Sequence, residues 1–79
     1  MARLTYYRSQ IGLALGLNKI VDAYWNGEFE ESDFADTVKA IVNNNKDKLY
    51  KEDDFTSLLS QRCGKKRLTL ITKILENTN

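Results

Sequence analysis

The chain has 79 residues, of which 42% are apolar and 29% are charged, and its net charge is +1. One domain usually needs about 50 to 250 residues, so this length excludes a second hydrophobic core, and the composition is typical of a folded chain. The longest apolar run, residues 11–17, is bracketed by Arg8 and Lys19. Because a helix that spans a bilayer needs about 20 apolar residues, we expect no membrane span.

Cys63 is the only cysteine of the chain, so it cannot close an internal disulfide. Small secreted domains usually depend on several disulfides, which makes the cytoplasm the expected location. Arg8 and Gln10 interrupt the region where a secretory signal would need an apolar segment, so we expect the N-terminus to be part of the folded domain.

Charge is divided unevenly along the chain. Residues 1–27 carry a net +2, residues 28–60 a net −5, and residues 61–79 a net +4. One interpretation is that the acidic middle and the basic end attract each other on the folded surface. The other is that the basic end binds an external partner.

Apolar residues at spacings of four, three and four predict a first helix over residues 4–25. The residues at these spacings are Leu13, Leu17, Ile20 and Tyr24. The adjacent row of the same helix consists of Ala14, Val21 and Trp25. Trp25 continues the apolar face, so we expect its indole to be buried. Asn26 and Gly27 supply the left-handed residue that commonly ends a helix.

Ser32 is the expected N-cap of a second helix, with Asp33 and Asp36 in the first turn, where the helix dipole favours carboxylates. Its predicted buried stripe consists of Phe34, Val38, Ile41 and Val42. The asparagines at 43–45 end the helix, because their side chains compete for backbone hydrogen bonds.

Two further helices complete the predicted fold, after a short turn anchored by Leu49 and Tyr50. The third begins near Asp53 or Asp54 and stops at Gly64, and the fourth runs over residues 65–76. Their inward residues are Phe55, Leu58 and Leu59 in the third, and Leu68, Ile71, Ile74 and Leu75 in the fourth. The sequence therefore predicts an all-α fold, a compact single-domain bundle of about four short helices over residues 1–79.

Gly12 and Gly16 lie four residues apart on one side of the first helix. Each costs about 1 kcal/mol relative to alanine in a helix interior, so a close neighbour should compensate. We expect that neighbour to be another helix of the same chain, and a dimer interface is the alternative.

The sequence lacks the residues of common active sites. It has no histidine, which removes the usual general base and metal ligand at neutral pH. Cys63 has no imidazole to activate it and is expected to be a buried packing residue. The carboxylates of residues 28–36 do not match a calcium loop, and no glycine-rich phosphate loop is present. We therefore expect a protein that is not an enzyme, with no catalytic residue, cofactor or metal.

The segment from Gly64 to Leu68 places three cations in the first turn of a helix, where the macrodipole opposes them. An anion there would meet free backbone N–H groups and basic side chains together. The candidate partner-binding residues are Arg62, Lys65, Lys66, Arg67 and Lys73. The alternative is that carboxylates of residues 52–54 or 28–36 neutralise these cations within the chain.

Residues 54–75 also have the helix, turn and helix order of a DNA-binding helix-turn-helix. Leu59, Ser60, Gly64 and Leu70 fit that motif. However, Lys65 and Lys73 fall where the motif buries apolar residues, and a net charge near zero argues against strong DNA binding.

Two blocks, residues 24–28 (YWNGE) and residues 64–68 (GKKRL) followed by KIL at 73–75, resemble a family of short uncharacterised proteins from Firmicutes, their plasmids and their phages. The resemblance extends from about Ile20 to Leu75. It implies a bacterial or mobile-element origin and brings no catalytic residue with it.

These observations favour a helical module that binds a macromolecule, with a protein as the leading partner. By analogy with other small proteins of mobile elements, the expected role is that of a regulator or inhibitor encoded by such an element. A nucleic-acid-binding regulator that uses residues 54–75 is one alternative. A structural homodimer whose acidic and basic segments pair between chains is the other.

Overall fold

The computed structural model describes residues 5–51 and 54–76. The elements in that part of the chain are α1 at Gln10–Trp25, α2 at Glu31–Asn44, α3 at Lys46–Leu49, β1 at Tyr50–Lys51, β2 at Asp54–Phe55, α4 at Ser57–Cys63 and α5 at Lys65–Glu76. The two strands are antiparallel, with Tyr50 opposite Phe55. No helix among the described residues is long and apolar enough to cross a membrane.

One apolar core lies between the four longer helices, because α1 packs on α4 and α2 packs on α5. Its buried residues are Leu13, Ala14, Leu17 and Val21 of α1, Phe34, Val38, Ile41 and Val42 of α2, Leu49 of α3, Leu59 and Cys63 of α4, and Leu68, Ile71 and Ile74 of α5. The predicted stripe of α2 is confirmed, as is that of α5 except for Leu75, which is partly buried. The radius of gyration is 11.6 Å, which is that of a compact globule of this length.

The mainly helical fold is confirmed, but the start of the third predicted helix is wrong. Asp54 and Phe55 pair with β1, and Thr56 caps α4 by accepting a hydrogen bond from the Leu59 N–H at 3.3 Å. Helix α4 therefore begins at Ser57. Strands of two residues are too short to produce an alternating pattern in the sequence.

The predicted start of α1 is also wrong. Part of the segment 4–9 lies outside the described residues, and α1 begins at Gln10 because the Ser9 side chain accepts a hydrogen bond from the Gly12 N–H at 3.0 Å. The end at Trp25 is confirmed, and Gly27 follows with a φ of +80°.

The expected burial of Trp25 is wrong, since this residue is 50% exposed. A step of four residues turns a helix by 400°, so each step moves a side chain about 40° around the axis. Val21 is buried, and the next step carries Trp25 past the edge of the buried face in the last turn of α1. The Trp25 indole is therefore part of the protein surface.

The expected N-cap of α2 is displaced by two residues. Helix α2 begins at Glu31 after Glu30, whose side chain makes no capping hydrogen bond, and Ser32 lies inside the first turn. Glu31 and Asp33 provide the negative charge in that turn, so favourable interaction with the helix dipole replaces a side-chain cap.

Gly16 is approached by a tyrosine of the preceding segment rather than by the helix that the sequence predicted. A Cβ atom added to Gly16 would lie 2.5 Å from Tyr7 Cζ and 2.7 Å from Tyr7 Cε1. The missing side chain of Gly16 thus makes room for the Tyr7 ring, whose burial raises the pKa of its hydroxyl.

Substituting Gly16→Ala should therefore destabilise the protein by about 1 to 3 kcal/mol, because the Tyr7 ring must move. In a Tyr7→Ala background the same substitution should stabilise by up to about 1 kcal/mol, through helix propensity alone. Urea unfolding of the four variants measures this coupling. An equal stabilisation in both backgrounds would contradict the packing described.

Asn45 joins the N-terminal segment to the end of α2. It is fully buried. Its Nδ2 donates to the carbonyls of Ile41 at 2.7 Å and Thr5 at 2.8 Å, and its Oδ1 accepts from the Tyr7 N–H at 3.0 Å. Its φ is −135°, so the chain turns here without a left-handed residue.

Candidate partner-binding site

The candidate site lies where α4 meets α5. Gly64 alone connects the two helices, with a φ of +83°, in the left-handed region that a residue without a Cβ adopts at little cost. Helix α5 begins at Lys65 and ends at Glu76 as predicted. Lys65 and Lys66 therefore stand in its first turn, with no acidic residue there to oppose them.

Arg67 is paired within the protein with Asp22. Arg67 Nε and Nη2 donate to the two carboxylate oxygens of Asp22 at 3.0 and 3.1 Å, and Nη1 donates to the Cys63 carbonyl at 3.1 Å. This bidentate pair fastens the start of α5 to α1. The sequence suggested an internal carboxylate as one alternative, and Asp22, which lies in neither proposed acidic segment, pairs with Arg67. Glu52 and Asp53, two of the proposed partners, lie outside the described residues.

Arg62 lies exposed in the last turn of α4, where a cation interacts favourably with the helix dipole. Its backbone carbonyl accepts a hydrogen bond from Asn18 Nδ2 at 2.9 Å, which adds a second link between this junction and α1. Arg62 and Arg67 thus both lie beside α1, and neither lines the groove described next.

Lys65 and Lys73 line one open groove of about 650 Å³ beside α5. Both are exposed, and neither lies within 4.0 Å of a carboxylate oxygen among the described residues. The groove residues are Asp54, Phe55, Ser60, Lys65, Leu68, Thr69, Thr72, Lys73 and Glu76. Lys66 is exposed in the same turn as Lys65 but is not part of this lining.

The helical repeat of α5 explains one wall of the groove. Leu68, Ile71 and Ile74 face the core, so residues on the opposite side are left at the surface. Lys65 and Lys73 are eight residues apart, which places them about 12 Å from each other along the helix axis and about 80° apart around it. Thr69 lies between them, one turn from each.

The ribbon supplies the opposite wall. Phe55 of β2 stacks on Tyr50 of β1 with ring centroids 5.2 Å apart, and both rings are partly buried. A smaller compartment of about 280 Å³ adjoins the groove, sharing Asp54, Phe55, Thr72 and Glu76 and adding Tyr50 and Leu75. This groove was not predicted from the sequence, because Phe55 was expected to lie in a helix.

Cys63 is buried, as predicted, and its Sγ lies 3.8 Å from the Ala14 carbonyl oxygen. Burial raises the pKa of its thiol, an effect that the nearby Arg67 charge only partly offsets. A thiol in this environment is a packing residue with little thiolate. Among the described residues, no group of three or more side chains is placed to hold a metal ion.

The three cations of the first turn should respond differently to charge reversal. The double substitution Lys65→Glu with Lys66→Glu should stabilise by a few tenths of a kcal/mol per residue, because carboxylates suit a helix N-terminus. Arg67→Glu should destabilise by up to about 1 kcal/mol, because the new carboxylate faces Asp22 in a partly exposed, screened position. Thermal melts followed by circular dichroism measure both effects.

A charge swap provides the control. Adding Asp22→Lys to Arg67→Glu restores opposite charges and should recover part of the loss. If Arg67→Glu leaves the melting temperature unchanged, the Asp22–Arg67 pair does not stabilise the junction.

Comparison with known proteins identifies a family. A family model described as a conserved hypothetical protein matches residues 4–76. No curated protein and no solved structure matches the chain. Since the matched residues make up most of the sequence, the chain belongs to this family of conserved hypothetical proteins.

Proposed function

We propose that this protein is a non-enzymatic helical module that binds a partner protein through the groove beside α5. The observation that supports this proposal is the combination of Lys65 and Lys73 on one wall with Phe55 and Leu68 in the same lining. Protein interfaces commonly combine an apolar anchor site with a polar rim in this way. Lys66 is exposed in the same turn as Lys65 but does not line the groove.

Two features support a protein partner over a nucleic acid. Among the described residues, the groove is lined by two lysines and two carboxylates, Asp54 and Glu76, whose formal charges cancel. Nucleic-acid affinity depends mainly on neutralising phosphates, which these carboxylates would oppose. In addition, the single residue Gly64 between α4 and α5 is shorter than the turn of 3 to 4 residues that a helix-turn-helix uses.

Photo-crosslinking in the native host tests this proposal. A benzoyl-phenylalanine at Thr69, which is exposed and lines the groove, should give a covalent adduct with a protein identifiable by mass spectrometry. The same group at Ser32, exposed in the first turn of α2, is the matched control and should not capture that protein.

The captured protein is then purified and its affinity measured. The double substitution Lys65→Glu with Lys73→Glu should weaken binding at least about tenfold, because it reverses two interface charges. The double substitution Lys19→Glu with Lys46→Glu, at exposed positions of α1 and α3, should leave the affinity unchanged.

The crosslink at Thr69 also distinguishes the alternatives. An adduct with nucleic acid would favour the DNA-binding alternative, and an adduct with a second copy of the chain would favour the homodimer.

We also propose a Firmicutes or mobile-element origin and a cytoplasmic location for this protein. The blocks at residues 24–28 and 64–68 support a Firmicutes or mobile-element source. The single buried cysteine supports a cytoplasmic location. In that setting a small binding module would act as a regulator or inhibitor of another protein.

A further inference from the structure

The groove beside α5 and the smaller compartment form a continuous trough, because they share Asp54, Phe55, Thr72 and Glu76. Lys65 and Glu76 mark its two ends along α5. They are eleven residues apart, which corresponds to about 16 Å of helix. An extended chain covers this distance with about five residues.

The described charges are distributed unevenly between the two compartments: Asp54 and Glu76 line both of them, whereas Lys65 and Lys73 line only the larger one. The end near Lys65 carries a cation, with Lys66 exposed beside it. Among the described residues, the smaller compartment at the other end is lined by two carboxylates, Asp54 and Glu76, and by no cation. Lys73, three residues before Glu76, lines only the larger groove.

The apolar residues lie between and beside these charges. Leu68 lies on the α5 wall, and Phe55 contributes to both compartments. The smaller compartment adds the Tyr50 ring and Leu75 to its two carboxylates. Aromatic faces and carboxylates together favour the ammonium or guanidinium group of a long side chain whose methylene groups need apolar contact.

Resting on the proposed function, we infer that the partner presents an extended segment of about five residues with a carboxylate at one end, an apolar side chain in the middle and a lysine or arginine at the other end. The carboxylate meets Lys65, the apolar side chain packs on Phe55 and Leu68, and the cation enters the compartment of Asp54 and Glu76. A uniformly acidic segment fits this trough less well, because its second carboxylate would face two others.

Three capped peptides test this inference by titration into the ¹⁵N-labelled full chain. The mixed-charge peptide is acetyl-Glu-Thr-Leu-Thr-Lys-amide. The all-acidic peptide has Glu in place of its last residue, and the all-basic peptide has Lys in place of its first residue. The mixed-charge peptide should shift the amide signals of Thr69 and Thr72 and bind at least about threefold more tightly than either other peptide, because one exposed ion pair changes affinity by up to about fivefold.

Reversing one charge of the protein provides the matched test. With Glu76→Lys the all-acidic peptide should bind more tightly than the mixed one, whereas Asp36→Lys, at an exposed position of α2, should leave the order unchanged. Glu76 is the last residue of α5, so a lysine there suits the helix dipole and should preserve the fold.

Two results would overturn the inference. Tighter binding of the all-acidic peptide to the unsubstituted protein would leave the groove as a site for an acidic partner and refute the mixed-charge segment. If several millimolar of the mixed-charge peptide shifts no amide signal of the protein, a five-residue recognition element is refuted. The crosslink at Thr69 decides separately whether the groove binds a protein.

Discussion

Replacing Asn45 with aspartate should destabilise the protein by about 3 to 5 kcal/mol at neutral pH, a large part of the stability of a small domain. The carboxylate would place an oxygen where Nδ2 now donates to the carbonyls of Ile41 and Thr5. Two hydrogen bonds would become repulsive contacts, and a charge would be buried without a partner. Urea unfolding followed by far-ultraviolet circular dichroism measures the loss.

Asn44 offers a matched control for this substitution. It is exposed, and its Nδ2 donates to Thr5 Oγ1 at 2.9 Å. Asn44→Asp makes the same chemical change one residue earlier and should cost less than about 1 kcal/mol, because water can solvate the new charge. Equal unfolding midpoints for the two variants would show that Asn45 does not hold the N-terminal segment in place.

Replacing Phe34 with alanine should cost about 3 to 5 kcal/mol, because it removes a fully buried ring and leaves a cavity. The Phe34 ring stacks on Tyr24 at a centroid distance of 4.2 Å, and the Phe29 ring meets its edge at 6.1 Å. The substitution therefore removes the stacking of Phe34 on Tyr24, which packs the start of α2 on the end of α1. Chemical denaturation gives the free-energy difference.

A leucine at the same position separates ring stacking from burial. Phe34→Leu keeps most of the apolar volume and should lose only the aromatic interactions and some packing, about 1 to 2 kcal/mol. If Phe34→Ala costs no more than about 1 to 2 kcal/mol relative to the unsubstituted protein, neighbouring side chains have relaxed to fill the cavity, and the predicted large loss is wrong.

Elements with a strong local signal were predicted well. Helix α5 was predicted with both ends, because its apolar residues follow the helical repeat and Gly64 precedes them. The buried stripe of α2 was also predicted correctly, although the helix begins before the expected Ser32 cap. In both helices, residues three and four apart determine which side is buried.

Features that depend on distant residues could not be read from local patterns. The carboxylate that pairs with Arg67 lies 45 residues earlier, at Asp22, and nothing in the spacing of either residue identifies the other. The candidate site could be predicted only in part for the same reason. The sequence located Lys65 and Lys73, but the opposite wall depends on Phe55, which belongs to a ribbon too short to have a periodic signal.

The packing of α1 on α4 determines the order in which the protein can fold during synthesis. Ala14, Asn18 and Asp22 each contact a residue 44 to 49 positions later in the chain. While the ribosome is still making α2 and α3, α1 has no surface on which to complete these contacts. The part of its apolar face that packs on α4 cannot be covered until α4 has emerged, although α2 and α3 can pack on α1 earlier.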